Sequence, residues 1–214
     1  MVADTQTAGI GQRGNHWEAE PGKNLTFSII LKPTFLQAAD QYQLTKAISL
    51  GIYDWLQAQI PAIMQASIKW PNDLYIGEAK ICGTLISTRL AASHLSSAIV
   101  GIGLNVNQTQ FADWIPNPTS LAILCNRTFN TVDCLEQLAD CIVIRYEQLR
   151  KDLHSPDKDY LEHLLDYGQP HAYIYQGQRI TATITGINKF GHLEATTADG
   201  QEIVCQIKEI SRIL

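Results

Sequence analysis

The chain predicts an α/β (α+β) architecture: a sheet covered by helices, followed by a small all-β module. Three observations carry this reading. Apolar residues repeat at helical spacing over residues 35–57 and again after Thr131. Between those helices lie short strand patterns separated by tight turns. After Gly168-Gln169-Pro170 only short, β-branched strands remain.

Residues 1–6 read as the remnant of a strand, and 25–31 (LTFSIIL) as a buried strand. In the first helix Leu44, Ala47, Ile48, Gly51, Ile52 and Trp55 fall on one face, and Pro61 marks its end. Strands are expected at 67–70, 73–76, 79–88 and 98–104. Gly77-Glu78 is a two-residue hairpin connection with glycine first, which suits a primed turn. Asn117-Pro118-Thr119-Ser120 opens a short helix over 121–125. A longer helix takes Thr131 as its N-cap with Asp133 in the first turn, and presents Leu135, Leu138, Ala139, Ile142, Tyr146 and Leu149 on one face. Ser155-Pro156 opens a further helix reaching about residue 165. The last strands are expected at 172–176, 179–187, 192–197 and 202–206, so the chain divides into units 1–167 and 168–214.

The 214 residues, 45% hydrophobic and 17% charged, are ordinary for a globular protein with one substantial core. No stretch has the apolar length of a membrane span, and the N-terminus lacks a basic-then-apolar signal pattern. Five cysteines without paired spacing read as reduced core residues, which points to the cytoplasm. A net charge of −5 disfavours nucleic acid as a partner, and no helix-turn-helix candidate precedes the core. The histidines show no ligand spacing, so no zinc is assigned.

The chemistry concentrates in Lys69-Trp70-Pro71-Asn72-Asp73 and in Lys80-Ile81-Cys82-Gly83 just downstream. Side chains alternate along a strand, so Lys69 and Lys80 can converge on one sheet surface. Two cations beside an Asn-Asp pair suit a phosphorylated or carboxylate substrate with a divalent cation. A solvated surface hairpin is the bland alternative, and Pro71 between two strands argues against it. Upstream, Gly9-x-Gly11-x-x-Gly14 matches a dinucleotide fingerprint on paper, but no helix pattern follows Gly14. The better reading is a loop that offers backbone N–H groups to an anion, with Arg13 adding charge. Trp17 beside it fits either a stacking role or a plain core residue.

These blocks, with Gln6-Thr7-Ala8-Gly9-Ile10-Gly11-Gln12-Arg13-Gly14-Asn15-His16-Trp17 upstream and Gly101-Ile102-Gly103-Leu104-Asn105-Val106-Asn107 downstream, resemble the biotin protein ligases in order and spacing. The resemblance covers essentially the whole chain. It implies a class II synthetase-like biotin/lipoate ligase catalytic domain with a C-terminal SH3-like β-barrel. It further implies ATP, Mg²⁺ and biotin as ligands, a biotin carboxyl carrier protein domain as acceptor, and a possible homodimer. Lys80 would bridge the biotin carboxylate and the α-phosphate, with Lys69 neutralising phosphate from the other side. Asp73 and Asn105 would offer oxygen ligands to Mg²⁺, Asp73 alternatively drawing a proton from the acceptor amine. Gln6 would satisfy the ureido group, and Gly83 would let the ligand approach the backbone. Gly9, Gly11, Gln12, Arg13, Gly14, Trp17 and Asn72 would complete the substrate site, the resemblance tipping Trp17 to the ligand side.

Two departures stand out. Ile10 occupies a position where the family usually has arginine, removing a cation from the phosphate side. The family's earlier strand and helix, with a Ser-Thr-Asn segment that contacts biotin, would precede Met1. The expectation is therefore that residues 1–214 bind ATP or adenylate better than free biotin. Two alternatives accompany the ligase reading. One is an impaired paralogue that binds adenylate or a carrier domain. The other is a lipoyl or octanoyl transferase relative with Cys82 as nucleophile, although a cysteine between Ile81 and Gly83 is more often core.

Overall fold

The computed structural model of the chain describes residues 1–14 and 16–213, apart from the Arg13 side chain. A short hairpin of β1 (Gly9–Ile10) and β2 (His16–Trp17) precedes β3 (Leu25–Leu31). Then follow α1 (Tyr42–Gln59), β4 (Ala66–Lys69), β5 (Asp73–Ile76), β6 (Ala79–Ala91) and β7 (His94–Leu104). The helices α2 (Leu121–Cys125), α3 (Thr131–Lys151) and α4 (Asp157–Glu162) lead to β8 (Pro170–Tyr175), β9 (Gln178–Ile187), β10 (Leu193–Thr197), β11 (Glu202–Cys205) and β12 (Ile210–Arg212). The result is the mixed α/β fold expected. The first sheet has the order β3-β7-β6-β5-β4 and the second the order β11-β10-β9-β8-β12, with every pairing antiparallel. Among the described residues no strand pairing joins the edge strands β11 and β12 into a closed barrel.

Alternation on β7 separates the two faces of the first sheet. Ala98, Val100, Ile102 and Leu104 are buried in the core, while Ile99, Gly101 and Gly103 turn the other way. On the core side α1 buries Leu44, Ile48, Ile52, Trp55 and Leu56. At Gly51 the α1 backbone meets α3 so closely that a Cβ would lie 2.7 Å from the Ile142 Cα. Gly77 has φ +57° between β5 and β6, the first-position glycine that the hairpin requires.

Several boundaries differ from the sequence expectation. Residues 1–6 form no strand; only residues 1–3 lie along the free edge of β3. Ala3 N–H donates to Thr26 O at 2.9 Å, Ser28 N–H to Met1 O at 2.8 Å, and Val2 bridges Phe27. The first helix begins seven residues late. Phe35 and Leu36 have helical spacing, but Leu36 is buried in a turn whose carbonyl accepts from Leu95 N–H at 2.9 Å. Asn130 rather than Thr131 caps α3, its side chain accepting from Val132 N–H at 2.9 Å. The helix after Ser155-Pro156 ends at Glu162, because the chain then pairs with β4 through an Ile68–Leu164 bridge. The β6–β7 hairpin runs beyond the expected limits to Ala91 and His94, and β12 was not anticipated.

Candidate active site

The glycine face of the first sheet and the inner side of the second enclose one cavity of about 700 Å³. Its functional side chains are set by register. Lys69 pairs with Asp73 across β4 and β5, and Asp73 pairs with Gly83 across β5 and β6. A bulge then matters. Lys80 and Gly83 are three residues apart, which in a regular strand places them on opposite faces. The β5–β6 register shifts between Leu74 and Tyr75, so that Tyr75 opposes Lys80. Lys80 thereby joins Gly83 on the cavity face, where a Cβ on Gly83 would lie 3.4 Å from the Lys80 ammonium.

Lys80 Nζ and Asp73 Oδ2 form an ion pair of 2.7 Å, both side chains about three-quarters buried. The Lys80 backbone is clamped from the other side: its N–H donates to Asn117 O at 2.7 Å and its carbonyl accepts from Thr119 N–H at 2.9 Å. Lys69 Nζ donates to the Tyr75 hydroxyl at 3.2 Å and lies 4.9 Å from that ring centre. Burial holds the Lys69 ammonium below the ordinary lysine value; Asp73 opposes the shift, while Lys80 and Arg212 reinforce it. Burial also pushes the Tyr75 phenol up to about 12, with Asp73 adding to the effect. Asn72 is tied to the sheet: its side-chain amide donates to Thr84 O, and its backbone carbonyl accepts from Thr84 N–H at 3.0 Å.

Gly83 and Gly103 face each other across β6 and β7, and the indole of Trp17 lies on them. A Cβ on Gly103 would overlap that ring, 2.7 Å from Nε1. The Trp17 Nε1–H is buried without a hydrogen-bond partner, and Lys80 Nζ stands 5.7 Å from the ring centre. Gly103→Ala is expected to push the indole off its shelf at a cost of about 1–3 kcal/mol. The emission spectrum reads this as a red shift, which Trp17→Phe in the same background should remove.

Of the residues singled out from sequence, Lys69, Asn72, Asp73, Lys80, Gly83, Gln6, Gly11, Gln12 and Trp17 line this cavity. Gly9, Gly14 and Asn105 do not. Gly9 is packed against the Trp17 carbonyl, and Gly14 closes the Gln12–Gly14 turn with φ +84°. Asn105 is buried; its amide donates to Thr119 O at 3.0 Å and its Oδ1 has no partner. The Arg13 side chain and Asn15 fall outside the described residues. Ile10 also lines the cavity, largely exposed.

Sequence reasoning singled out no side chain of the second sheet. Arg212, its side chain 8% exposed, lines the cavity and donates to Asp166 at 2.7 Å and to Glu78 at 3.0 Å. Asp166 accepts in addition from the Tyr173 hydroxyl at 3.2 Å. Only an arginine near the C-terminus signalled this, and nothing in its neighbourhood set it apart. Cys82, by contrast, is fully buried among apolar residues, and burial pushes its thiol well up. That is the opposite of what a nucleophile needs.

Comparison with known proteins fits this geometry. The model of the biotin/lipoate A/B protein ligase family matches residues 1–105. The first half of the chain is thus similar to that family. It is 32% identical over 164 residues to the bifunctional ligase/repressor BirA of Bacillus subtilis, covering 74% of this chain and 49% of that protein. It is 32% identical over 108 residues to a biotin–[acetyl-CoA-carboxylase] ligase of Paracoccus denitrificans, covering 50% of this chain and 43% of the relative. The chain thus spans about half the length of the curated relatives it matches. Its fold resembles the biotin protein ligase of Aquifex aeolicus in complex with biotin and ATP, with a TM-score of 0.80 at 25% identity, covering 99% of this chain and 88% of the other. None of the described helices is long and apolar enough to cross a membrane.

Proposed function

We propose that the chain is an ATP-dependent biotin protein ligase. It joins the biotin carboxylate to the α-phosphate of ATP with release of pyrophosphate, then passes the biotinyl group to a lysine of a biotin carboxyl carrier protein domain, releasing AMP. The observation that carries this reading is the convergence of Lys69, Asp73 and Lys80 over a glycine floor in a single cavity. The family match over residues 1–105 and the likeness to a biotin- and ATP-bound ligase structure support it. Burial of Cys82 speaks against the transferase alternative.

The difficulty of the first step is that one anion attacks another. Lys80, fixed at its backbone and in contact with Asp73, supplies the cation between them, while Lys69 reduces phosphate charge from the adjoining strand. In the second step Asp73 is the carboxylate placed to take the proton that the acceptor ammonium sheds. Gln6 would hold the ureido group, Gly11 and Gln12 the phosphates, and Trp17 the apolar part of the ligand. Magnesium fits the residues present. Asp73 lines the cavity and gives one carboxylate, which with phosphate oxygens is the set this ion favours, whereas Asn105, although its Oδ1 has no partner, lies outside the cavity lining. The ion would supply positive charge at the phosphates. We also assign residues 1–167 to a catalytic unit and 168–214 to a small barrel-like unit that walls the nucleotide side. Cavity positions Tyr173, Ile184, Leu193 and Arg212 support that division. A cytoplasmic location and a homodimer belong to the same reading.

Incubation with ATP, biotin and a carrier domain tests the proposal by the mass of the carrier. Biotinylation supports it; absence of both carrier mass gain and pyrophosphate release overturns it. The lowered Lys69 value gives a second readout. Lys69 is charged below its folded value and loses the charge as pH rises through it, earlier than an ordinary lysine would. The kcat/KM for ATP, which reports the free enzyme, should therefore show an alkaline limb below the ordinary lysine range. Lys69→Arg should remove that limb, and an unchanged profile in the variant would assign it to another group.

A further inference from the structure

The loop that carries the reacting groups is held by residues outside the cavity, and this holding comes from both halves of the chain. Trp70 Nε1–H donates to the carbonyl of Gly191 at 2.9 Å, a contact spanning 121 residues. Gly191 has φ +82°, and a Cβ there would overlap the ring of Tyr42. The left-handed backbone and the lack of room each call for glycine. The turn that presents Gly191 is closed on itself: Asn188 Oδ1 accepts from Phe190 N–H at 3.0 Å and His192 N–H at 3.1 Å, and Asn188 O accepts from Gly191 N–H at 2.9 Å. Tyr42, the first residue of α1 and the neighbour of Gly191, also reaches Pro71. Its hydroxyl donates to Pro71 O over a long 3.4 Å and lies 3.0 Å from the hydroxyl of buried Tyr160. Each tyrosine has one proton, so the chain runs from Tyr160 to Tyr42 to Pro71. Burial raises both phenols, which keeps those protons in place.

We infer that the turn at 188–192 and Tyr42 form a latch that positions the Lys69–Asp73 loop for the reaction. Trp70 and Pro71 are the clamped residues, and Lys69 and Asp73 flank them. On this account the second sheet acts as a splint for the reacting loop as well as a wall of the cavity. Neither Gly191 nor Tyr42 lines that cavity, so both are positioning residues rather than catalytic ones. The inference rests on the ligase reading for what the loop does, and on geometry alone for what holds it.

The test compares Trp70→Phe, which removes only the N–H and part of the ring, with Gly191→Ala, which intrudes on Tyr42. Both should lower kcat for adenylate formation about tenfold to a hundredfold with KM for ATP and biotin unchanged, since misplacement acts on the reacting geometry and not on ground-state binding. The double variant should be no slower than the slower single, because both cut one latch. Unchanged kcat, losses that multiply in the double variant, or a rise confined to KM would overturn the inference. If the parent protein forms no adenylate, the ligase reading has failed and the latch is decided by hydrogen exchange. Trp70→Phe should then speed exchange in residues 69–76 and leave α1 and α3 protected; equal exchange in that segment overturns it.

Discussion

Lys80→Ala should reduce adenylate formation by at least about a hundredfold, the loss of about 3 kcal/mol that follows removal of one preorganised donor from developing charge. The fold should survive. Lys80 is fixed through its backbone by Asn117, Thr119 and the β5 pairing, none of which needs the side chain. Its ammonium contributes an ion pair with Asp73 that is partly solvated, and such pairs add little to stability. Activity and stability should therefore separate: pyrophosphate release collapses while the thermal midpoint stays close to the parent. A variant releasing pyrophosphate at the parent rate would show that Lys80 is not the bridging cation.

Arg212→Ala should have the largest effect on stability. The Arg212 side chain is 8% exposed and that of its partner Asp166 12%, so the substitution leaves a nearly buried carboxylate without its main cation. Breaking a buried pair in this way costs about 3–5 kcal/mol. For a chain of this size that corresponds to a thermal midpoint lower by about 10 °C. Removing both charges should hurt less than removing one, so Arg212→Met with Asp166→Asn should recover part of the loss. If the single variant melts with the parent, the Arg212–Asp166–Glu78 cluster is not what ties the second sheet to the β5–β6 turn.

How much of this was legible in the sequence depends on the range of the interaction that decides each feature. The Gly77-Glu78 turn, the α1 face and the short helix α2 opened by Asn117-Pro118-Thr119-Ser120 are settled within a few residues, and they were read correctly. Leu36 has the spacing of a helix residue but is claimed by Leu95, some sixty positions on, and so the helix starts late. Lys80 and Gly83 were placed in one site by resemblance, whereas strict alternation would have separated them. The bulge that reconciles the two depends on a register no local pattern specifies. Arg212 was invisible for the same reason, since its meaning lies in Asp166 and Glu78, which come from other parts of the chain. The three-residue β12 has too little pattern to stand out.

The floor formed by Gly83 and Gly103 has one more consequence. A surface built from backbone alone cannot be trimmed, since every substitution at either position adds atoms and none removes them. New ligand preferences in this protein therefore have to be built at the rim, at Ile10, Gln12, Leu85 or Ser87, while the floor stays fixed. The backbone floor is the fixed part of the cleft, and the side chains around and above it are the adjustable part.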